Sequence, residues 1–366
     1  MDGSFSGRSP AVTAHINRIG TAVPPHDVHQ AFIDFAESLL PDARARRLFA
    51  RMADRSGIRH RYSHLRPNPP DAPSLDDTGF YRRGAFPGTA ERMRAYELEA
   101  TGLALQAVGR LALDPAEITH LIVASCTGFS APGLDQLIAD RLGLAPHIER
   151  TLIGFMGCYA AVPALRAARH IIRSEPDARV LVVNLELCTL HLQETADLET
   201  VLSFLLFGDA AAASLVTAEP HGIALQSFRA ASLPGTRDLI TWRIGDKGFD
   251  MHLSGQVPPT IAAALRTERA RNDGGGLLEG VATASLAHWA VHAGGRTVLD
   301  AVEQGLELAG TALAHSRAVL REVGNVSSAT LLFVLSRLLA GHAKGPGMAM
   351  AFGPGLAAET FRFSLV

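Results

Sequence analysis

Cys158 stands in the stretch GFMGCYAAVPALRAARHI (154–171), between a glycine and a run of small apolar residues. Strong helix formers follow it, with Leu165, Ala168 and Ile172 on one face. Pro163 falls in the first turn and a half, where a missing N–H is tolerated, and Gly154 and Gly157 let the backbone turn sharply beforehand. A sulfur so placed meets the positive end of a helix macrodipole, which is expected to lower the thiol pKa and raise its thiolate content. A free cysteine is also a common small core residue, so this stretch alone leaves both readings open.

Two later residues could share a site with it. His292 precedes a Gly-Gly pair at the end of an apolar, strand-like run, HWAVHAGG, where α/β folds expose functional side chains. Taken alone, it reads equally as a hydrogen-bonded core histidine. Asn325 follows a glycine at a helix start in REVGNVSSATLLFVL, where asparagine is also a common N-cap. A Cys, a His and an Asn, each at a glycine-marked turn, together suggest nucleophilic catalysis.

The elements that must position them alternate. Spacing of Val28, Phe32, Phe35, Leu39 and Leu40 predicts a helix over 27–54, followed by a Pro- and Asp-rich loop over 66–77. A second helix is predicted over 89–111. HLIVASC (120–126) and RVLVVNLEL (179–187) read as strands buried on both faces, with GLDQLIADRLGL as a helix between them. Further helices are predicted over 295–309 and 326–340, and 271–285 reads as a flexible loop. Strand–helix alternation of this kind belongs to the layered α/β class. FLLFGDAAAASLV (204–216) and MAMAFGPGLAAETFRFSLV (348–366) share an aromatic–Gly turn, a small-residue strand and a Leu/Val finish. They suggest an internal duplication with its join near 217–222, hence a first half over 1–217 carrying the cysteine and a second over 218–366 carrying the histidine and asparagine.

The 366 residues suffice for one large or two medium domains with a full core. A net charge of -2 with mixed signs argues against nucleic acid as a partner. Three cysteines make no disulfide framework and suit a reducing compartment; without Cys-x-x-Cys spacing no metal site is expected. The N-terminal stretch lacks a signal-peptide apolar core, and no apolar run is long enough to span a bilayer, so a cytoplasmic protein with no membrane contact is expected.

At this point the chain resembles the type III polyketide synthases, the chalcone-synthase-like branch of the thiolase superfamily, from about Arg47 to Val366. The motifs stand in order: GC at 157–158, LFGDAAAA at 206–213, HAGGRTVLDAVEQGLEL at 292–308, GNVSSA at 324–329 and FGPG at 352–355. The resemblance implies an α/β, thiolase-like, five-layered αβαβα fold of two similar halves, a homodimer, and a catalytic triad of Cys158, His292 and Asn325. It implies an acyltransferase. Cys158, held as thiolate by His292, takes the acyl group of an acyl-CoA starter; malonyl-CoA loses carbon dioxide; and His292 and Asn325 hold the enolate oxygen as the new carbon–carbon bond forms. Cyclisation then gives a pyrone, resorcinol or phloroglucinol-type product. No cofactor beyond the CoA thioesters and no carrier protein is implied.

The same resemblance marks a pocket. Phe207 matches a phenylalanine at the tunnel mouth, although its type alone fits ordinary core. Gly353, Pro354 and Gly355 match a loop shaping the cavity floor, and Ser327 lines the region. Trp242, His191 and Met251 fall where plant enzymes carry Gly, Thr and a second gate Phe, so the cavity is expected to be reshaped or shortened. Arg51 and Arg55 match cations that meet CoA phosphates, while a third such position is Leu48, with Arg47 beside it. As charges on a helix they could equally be a solvated face. A β-ketoacyl synthase III-like enzyme is the nearest rival and would require an acyl carrier protein. A papain-like protease shares the order Cys, His, Asn but lacks its cysteine signature here. A catalytically silent scaffold would not need all three residues.

Overall fold

The computed structural model describes residues 12–271 and 273–366. The first eleven residues of the N-terminal stretch, and position 272 in the loop read over 271–285, lie outside the described residues.

In chain order the elements are β1 (Ala14–Ala22), β2 (His26–Asp27), α1 (His29–Leu39), α2 (Ala43–Arg55), β3 (Tyr62–Ser63), α3 (Thr89–Gly109), β4 (His120–Ser125) and α4 (Leu134–Leu142). Then come β5 (Glu149–Gly154), α5 (Ala161–Ser174), β6 (Val180–Leu187), α6 (Leu198–Ser203), β7 (Asp209–Thr217) and β8 (Ile223–Ser232). A hairpin of β9 (Ile240–Gly245) and β10 (Gly248–Leu253) precedes α7 (Val257–Arg269) and β11 (His288–Val291). The chain closes with α8 (Arg296–Leu306), α9 (Ala314–Val323), α10 (Thr330–Ala340), β12 (Gly345–Gly353) and β13 (Ala357–Leu365).

The two halves repeat one strand order. The nine-stranded sheet runs β11-β12-β13-β8-β1-β7-β6-β4-β5. Outward from β1, the pairings with β7, β6 and β4 are antiparallel, antiparallel and parallel. Outward from β8, those with β13, β12 and β11 follow the same sequence. The halves meet where β1 pairs with β8 over Ala14–Leu225, His15–Ala224 and Ile16–Ile223. The two segments with the shared Gly turn and small-residue run thus end in the equivalent strands β7 and β13.

Five layers follow from the period of two along each strand. In β4, Leu121 and Val123 face a core with α3 and α4, whereas Ile122 faces one with α5 and α10. In β12, Met348 and Met350 face a core with α7 and α8, whereas Ala349 and Ala351 face α5 and α10. The order is therefore α3/α4, sheet, α5/α10, sheet, α7/α8. β4 and β6 are buried along their whole length, as their unbroken apolar runs predict. A smaller cluster packs α1 and α2 against Val201, Phe204 and Leu205, over the approach to the site.

Three expectations need correction. The helix over 27–54 is two helices, α1 and α2. Pro41 restricts Leu40 to extended backbone (φ -79°, ψ 131°), and the Asp42 carboxylate caps α2 by accepting from the N–H groups of Arg44 and Ala45, both at 2.8 Å. The helix expected over 295–309 spans Arg296–Leu306 and ends at Glu307, which is left-handed (φ 51°). The helix after Asn325 begins with a 3-10 turn, Ser327–Ala329, and is α-helical only from Thr330. The hairpin of β9 and β10 and the helix α7 have no counterpart in the sequence reading. Among the described residues no helix is long and apolar enough to cross a membrane.

Candidate active site

Cys158 lies in a 3-10 turn, Gly157–Tyr159, that leads from β5 into α5. The turn needs Gly157: its φ is +75°, and a Cβ there would lie 2.5 Å from Pro354 Cδ. In return, a Cβ on Gly353 would strike the Tyr159 ring at 2.6 Å and lie 3.4 Å from the Cys158 nitrogen. The GC and FGPG motifs are thus two sides of one close contact. Pro354 lines the cavity at Cys158, whereas Gly353 packs behind the nucleophile turn and Gly355 supplies a left-handed residue (φ +73°).

Asn325 occupies the matching place in the second half, ahead of a 3-10 turn and the central helix α10. Its Oδ1 accepts from the Ser327 N–H at 2.9 Å, in a turn just ahead of the 3-10 start, whose N-cap is Val326 and not Asn325 as the sequence suggested. This bond leaves Nδ2 to donate, and Nδ2 reaches the Gly294 carbonyl at 3.3 Å. Against the larger effect of burial, the Ser327 and Asn325 side chains near the Cys158 sulfur lower its thiol pKa. Ser327, held at φ +47°, also contacts Cys126 Sγ at 3.3 Å, so its hydroxyl stands between two thiols. His292 reaches Asn325 through Gly294, which lies against the His292 ring, with Nε2 3.5 Å from where a Gly294 Cβ would sit, and accepts from Asn325 Nδ2. His292 is 1% exposed, and neither ring nitrogen has a hydrogen-bond partner among the described residues.

The electrostatics oppose the expectation of a resting thiolate. Burial pushes the Cys158 thiol up to about 11; Ser327, Asn325 and its own backbone pull the other way but are weaker, and the nearby Glu186 raises it further. Burial also pulls His292 down to about 3. The dipole argument overlooked that this helix start is enclosed, and dehydration penalises the charged form of both groups. Taken singly, each group is thus pushed toward its uncharged form by burial.

Two cavities adjoin here. The inner one, of about 50 Å³, is lined by all three cysteines (Cys126, Cys158 and Cys188) together with Phe207, Ser327 and Pro354. His191, Trp242 and Met251 line it as well. Trp242 and Met251 sit opposite one another in the β9–β10 ladder. The Trp242 indole donates to the Cys126 carbonyl at 2.8 Å, and His191 Nε2 to the next carbonyl, Thr127, at 2.7 Å. His191 Nδ1 accepts from the Phe249 N–H at 3.0 Å, and its ring stacks on Phe249. Burial lowers the His191 pKa to about 3. These bulky walls are therefore pinned to the backbone. The outer cavity, about 670 Å³, is lined by Arg55, Met52, Gly294 and Arg296, by Leu198, Glu199 and Leu202 of α6, and by Asp197 ahead of it. Leu206 faces it while Phe207 faces the inner cavity, so Phe207 stands at the divide. Arg51 is exposed on α2, one turn before Arg55 and outside this wall.

Several residues escaped sequence reasoning. Arg296 adds a second cation to the outer cavity. Arg61 is fully buried; it donates to the carbonyls of Phe204 and Phe207 and to His29 Nδ1 at 2.9 Å. Burial lowers its pKa to about 9. Glu186 is fully buried and accepts from Ser328 Oγ at 2.5 Å, and from the Cys126 N–H and Thr127 Oγ1, both at 3.0 Å. A carboxylate inside the apolar run of β6 was the one signal that could have found it.

Comparison with known proteins is consistent along the chain. Residues 5–220 match the family model for the N-terminal domain of chalcone and stilbene synthases, and residues 224–366 that for the C-terminal domain. The chain is 31% identical to the alpha-pyrone synthesis polyketide synthase-like Pks18 of Mycobacterium tuberculosis, over 98% of this chain and 92% of that protein. It is 34% identical to the bisdemethoxycurcumin synthase of Oryza sativa subsp. japonica, over 94% and 91% respectively. The crystal structure of PKS-I from the brown alga Ectocarpus siliculosus superposes with a TM-score of 0.85 at 29% identity, covering 98% of this chain and all of that one.

Proposed function

Because the chain belongs to the chalcone and stilbene synthase family and is a type III polyketide synthase, an acyltransferase, we propose that Cys158, His292 and Asn325 carry its chemistry. The thiol of Cys158 passes its proton to His292 as the sulfur attacks the thioester of an acyl-CoA starter. Forming both charges together, as an adjacent ion pair, escapes much of the penalty that keeps each group neutral alone. Free CoA leaves with the proton and the acyl group stays on sulfur. Malonyl-CoA then enters and loses carbon dioxide. The electron pair from the broken bond becomes an enolate whose oxygen accepts from His292 and Asn325 Nδ2. Its carbon attacks the acyl-cysteine carbonyl, which expels the Cys158 thiolate and yields a β-ketoacyl-CoA for the next round.

The remaining parts fit the same reading. The outer cavity takes the CoA arm, with Arg55 and Arg296 toward its phosphates and the leucines of α6 along the pantetheine; Arg51 adds charge at the rim. Phe207 sets an apolar ring beside the malonyl carboxylate and favours its loss. The small inner cavity, with Trp242 and His191 pinned in its wall, supports few extension rounds before closure to a pyrone, resorcinol or phloroglucinol-type product. No resident cofactor is required. The chain works as a homodimer, a reading supported by β5, an exposed edge strand with Leu152 and Phe129 uncovered beside it. Three unpaired cysteines suit the cytoplasm.

The observation that carries the assignment is His292, buried with neither ring nitrogen partnered among the described residues, against Gly294, whose carbonyl accepts from the Asn325 carboxamide. The test is incubation with malonyl-CoA and a panel of acyl-CoAs, without carrier protein, followed by mass spectrometry. Ketide products are expected, abolished in Cys158→Ala and reduced about 100- to 1,000-fold in kcat for Asn325→Ala. Turnover only when an acyl carrier protein is supplied would instead select a β-ketoacyl synthase III-like enzyme.

A further inference from the structure

At the end of β4 remote from the catalytic cavity, three side chains converge that no sequence motif joins. His120 opens β4, Glu149 opens the parallel edge strand β5, and Glu175 is the C-cap of α5, the helix that starts behind Cys158. We infer that His120, Glu149 and Glu175 form a binding site for a divalent transition-metal ion, with zinc as the best match to this donor set.

His120 Nε2 lies 3.6 Å from Glu149 Oε2 and 3.9 Å from Glu175 Oε2, and the three atoms are all within 4.8 Å of one another. The centre of such a triangle is at most about 2.4 Å from each atom, against 2.0–2.2 Å for zinc bound to nitrogen and carboxylate oxygen. Small rotations of the two exposed carboxylates close that gap.

The imidazole is preset for this role. His120 is 5% exposed, and its Nε2 makes no hydrogen bond among the described residues. Its Nδ1 is bonded to Thr119 Oγ1 at 2.8 Å. That hydroxyl lies 3.3 Å from the Arg179 carbonyl, to which it donates, and accepts from the Arg179 N–H at 2.9 Å. In the tautomer protonated at Nδ1, which this arrangement allows, Nε2 is a lone pair facing two carboxylates. A bound cation resolves that repulsion, and a ring nitrogen held by an outer partner is the usual arrangement of metal-ligating histidines. The carbonyl end of α5 adds negative potential at the same point. Arg179, the nearby cation, is engaged with Glu117 at 3.3 Å and Glu219 at 2.6 Å.

The ion would tie the edge strand to the central helix roughly 20 Å from the sulfur, the span of a six-residue strand, so its effect is on stability rather than chemistry. The test uses tag-free, chelator-treated protein titrated calorimetrically with zinc chloride. One equivalent should bind, and Glu149→Gln, Glu175→Gln and His120→Gln should each weaken it by at least about tenfold. The two glutamate variants alter exposed side chains and keep the fold testable should His120→Gln not fold. Zinc should raise Tm by a few degrees in the parent and not in the variants. Cobalt(II) should give d–d bands without the sulfur charge-transfer band that cysteine ligation brings. Absence of saturable binding, binding unchanged in the glutamate variants, or a sulfur charge-transfer band would each overturn the site and leave a simple His120–carboxylate contact in its place.

Discussion

Phe207 and Asn325 are joined through the backbone: the Asn325 N–H donates to the Leu206 carbonyl at 2.8 Å, and the Gly208 N–H returns to the Asn325 carbonyl at 3.1 Å. The Phe207 ring in the cavity wall and the Asn325 carboxamide are thus tied through adjacent backbone, although more than a hundred residues separate them. Arg61 lies beneath this bridge, its stem under Gly324 and Gly208 and its guanidinium on the carbonyls of Phe204 and Phe207.

Replacing Arg61 with Met should leave those carbonyls buried and unpaired. At about 1–3 kcal/mol for each of the two carbonyls, the loss should be about 2–6 kcal/mol. Urea unfolding measures it. A change below about 0.5 kcal/mol would show that the clamp contributes nothing.

Gly157→Ala should forfeit activity and about 1–3 kcal/mol of stability, because φ +75° disfavours a side chain and the new methyl meets Pro354. Trimming the proline in Gly157→Ala/Pro354→Ala should recover the steric part but not the backbone part. Equal Tm and turnover in the single variant and the parent would refute the contact.

Acid should destabilise the protein through its buried histidines. His292 and His191 have folded-state values near 3 against the ordinary 6.5. The unfolded chain therefore binds more protons between those limits, and stability, complete above pH 6.5, falls as pH drops toward 3. In thermal unfolding across this range, His292→Gln should lose less Tm than the parent between pH 7.5 and 4.5. Parallel curves would contradict the buried neutral imidazole.

Cys158 should be a slow thiol in the free enzyme. With its value raised to about 11, iodoacetamide labelling should be slow at pH 7 and quicken steadily above pH 9, whereas turnover with acyl-CoA proceeds at neutral pH. Rapid labelling at pH 7, eliminated by Cys158→Ala, would restore the resting thiolate.

Trp242→Gly should enlarge the inner cavity and lengthen the products or admit larger starters. It also leaves the Cys126 carbonyl without the indole N–H, which costs about 1–3 kcal/mol. Trp242→Phe separates the two effects: it keeps most of the bulk, so product length should hold while Tm falls. Identical product profiles in parent and Trp242→Gly, read by mass spectrometry, would dismiss the tryptophan as a limit on size.

The parts of this protein that depend on local rules were legible from the chain. Unbroken apolar runs located β4 and β6, since a strand covered on both faces has no polar side to show. Glycine-marked turns located Cys158, His292 and Asn325. The break at Pro41 and its cap at Asp42 were equally legible but were overridden by apolar spacing that continued across them. By contrast, the β9–β10 hairpin holds Trp242 against Cys126 through a contact over 116 residues, which no local pattern encodes. The five motifs, their order and the small-residue runs were thus determined by the sequence itself, because backbone conformation and strand burial are set within a few neighbours. The burial that shifts Cys158 and His292 away from their charged forms, the 50 Å³ inner cavity, the Arg61 clamp and the meeting of His120 with two distant glutamates were decided only in three dimensions. Dehydration, cavity volume and charge pairing depend on what the rest of the chain places around each group.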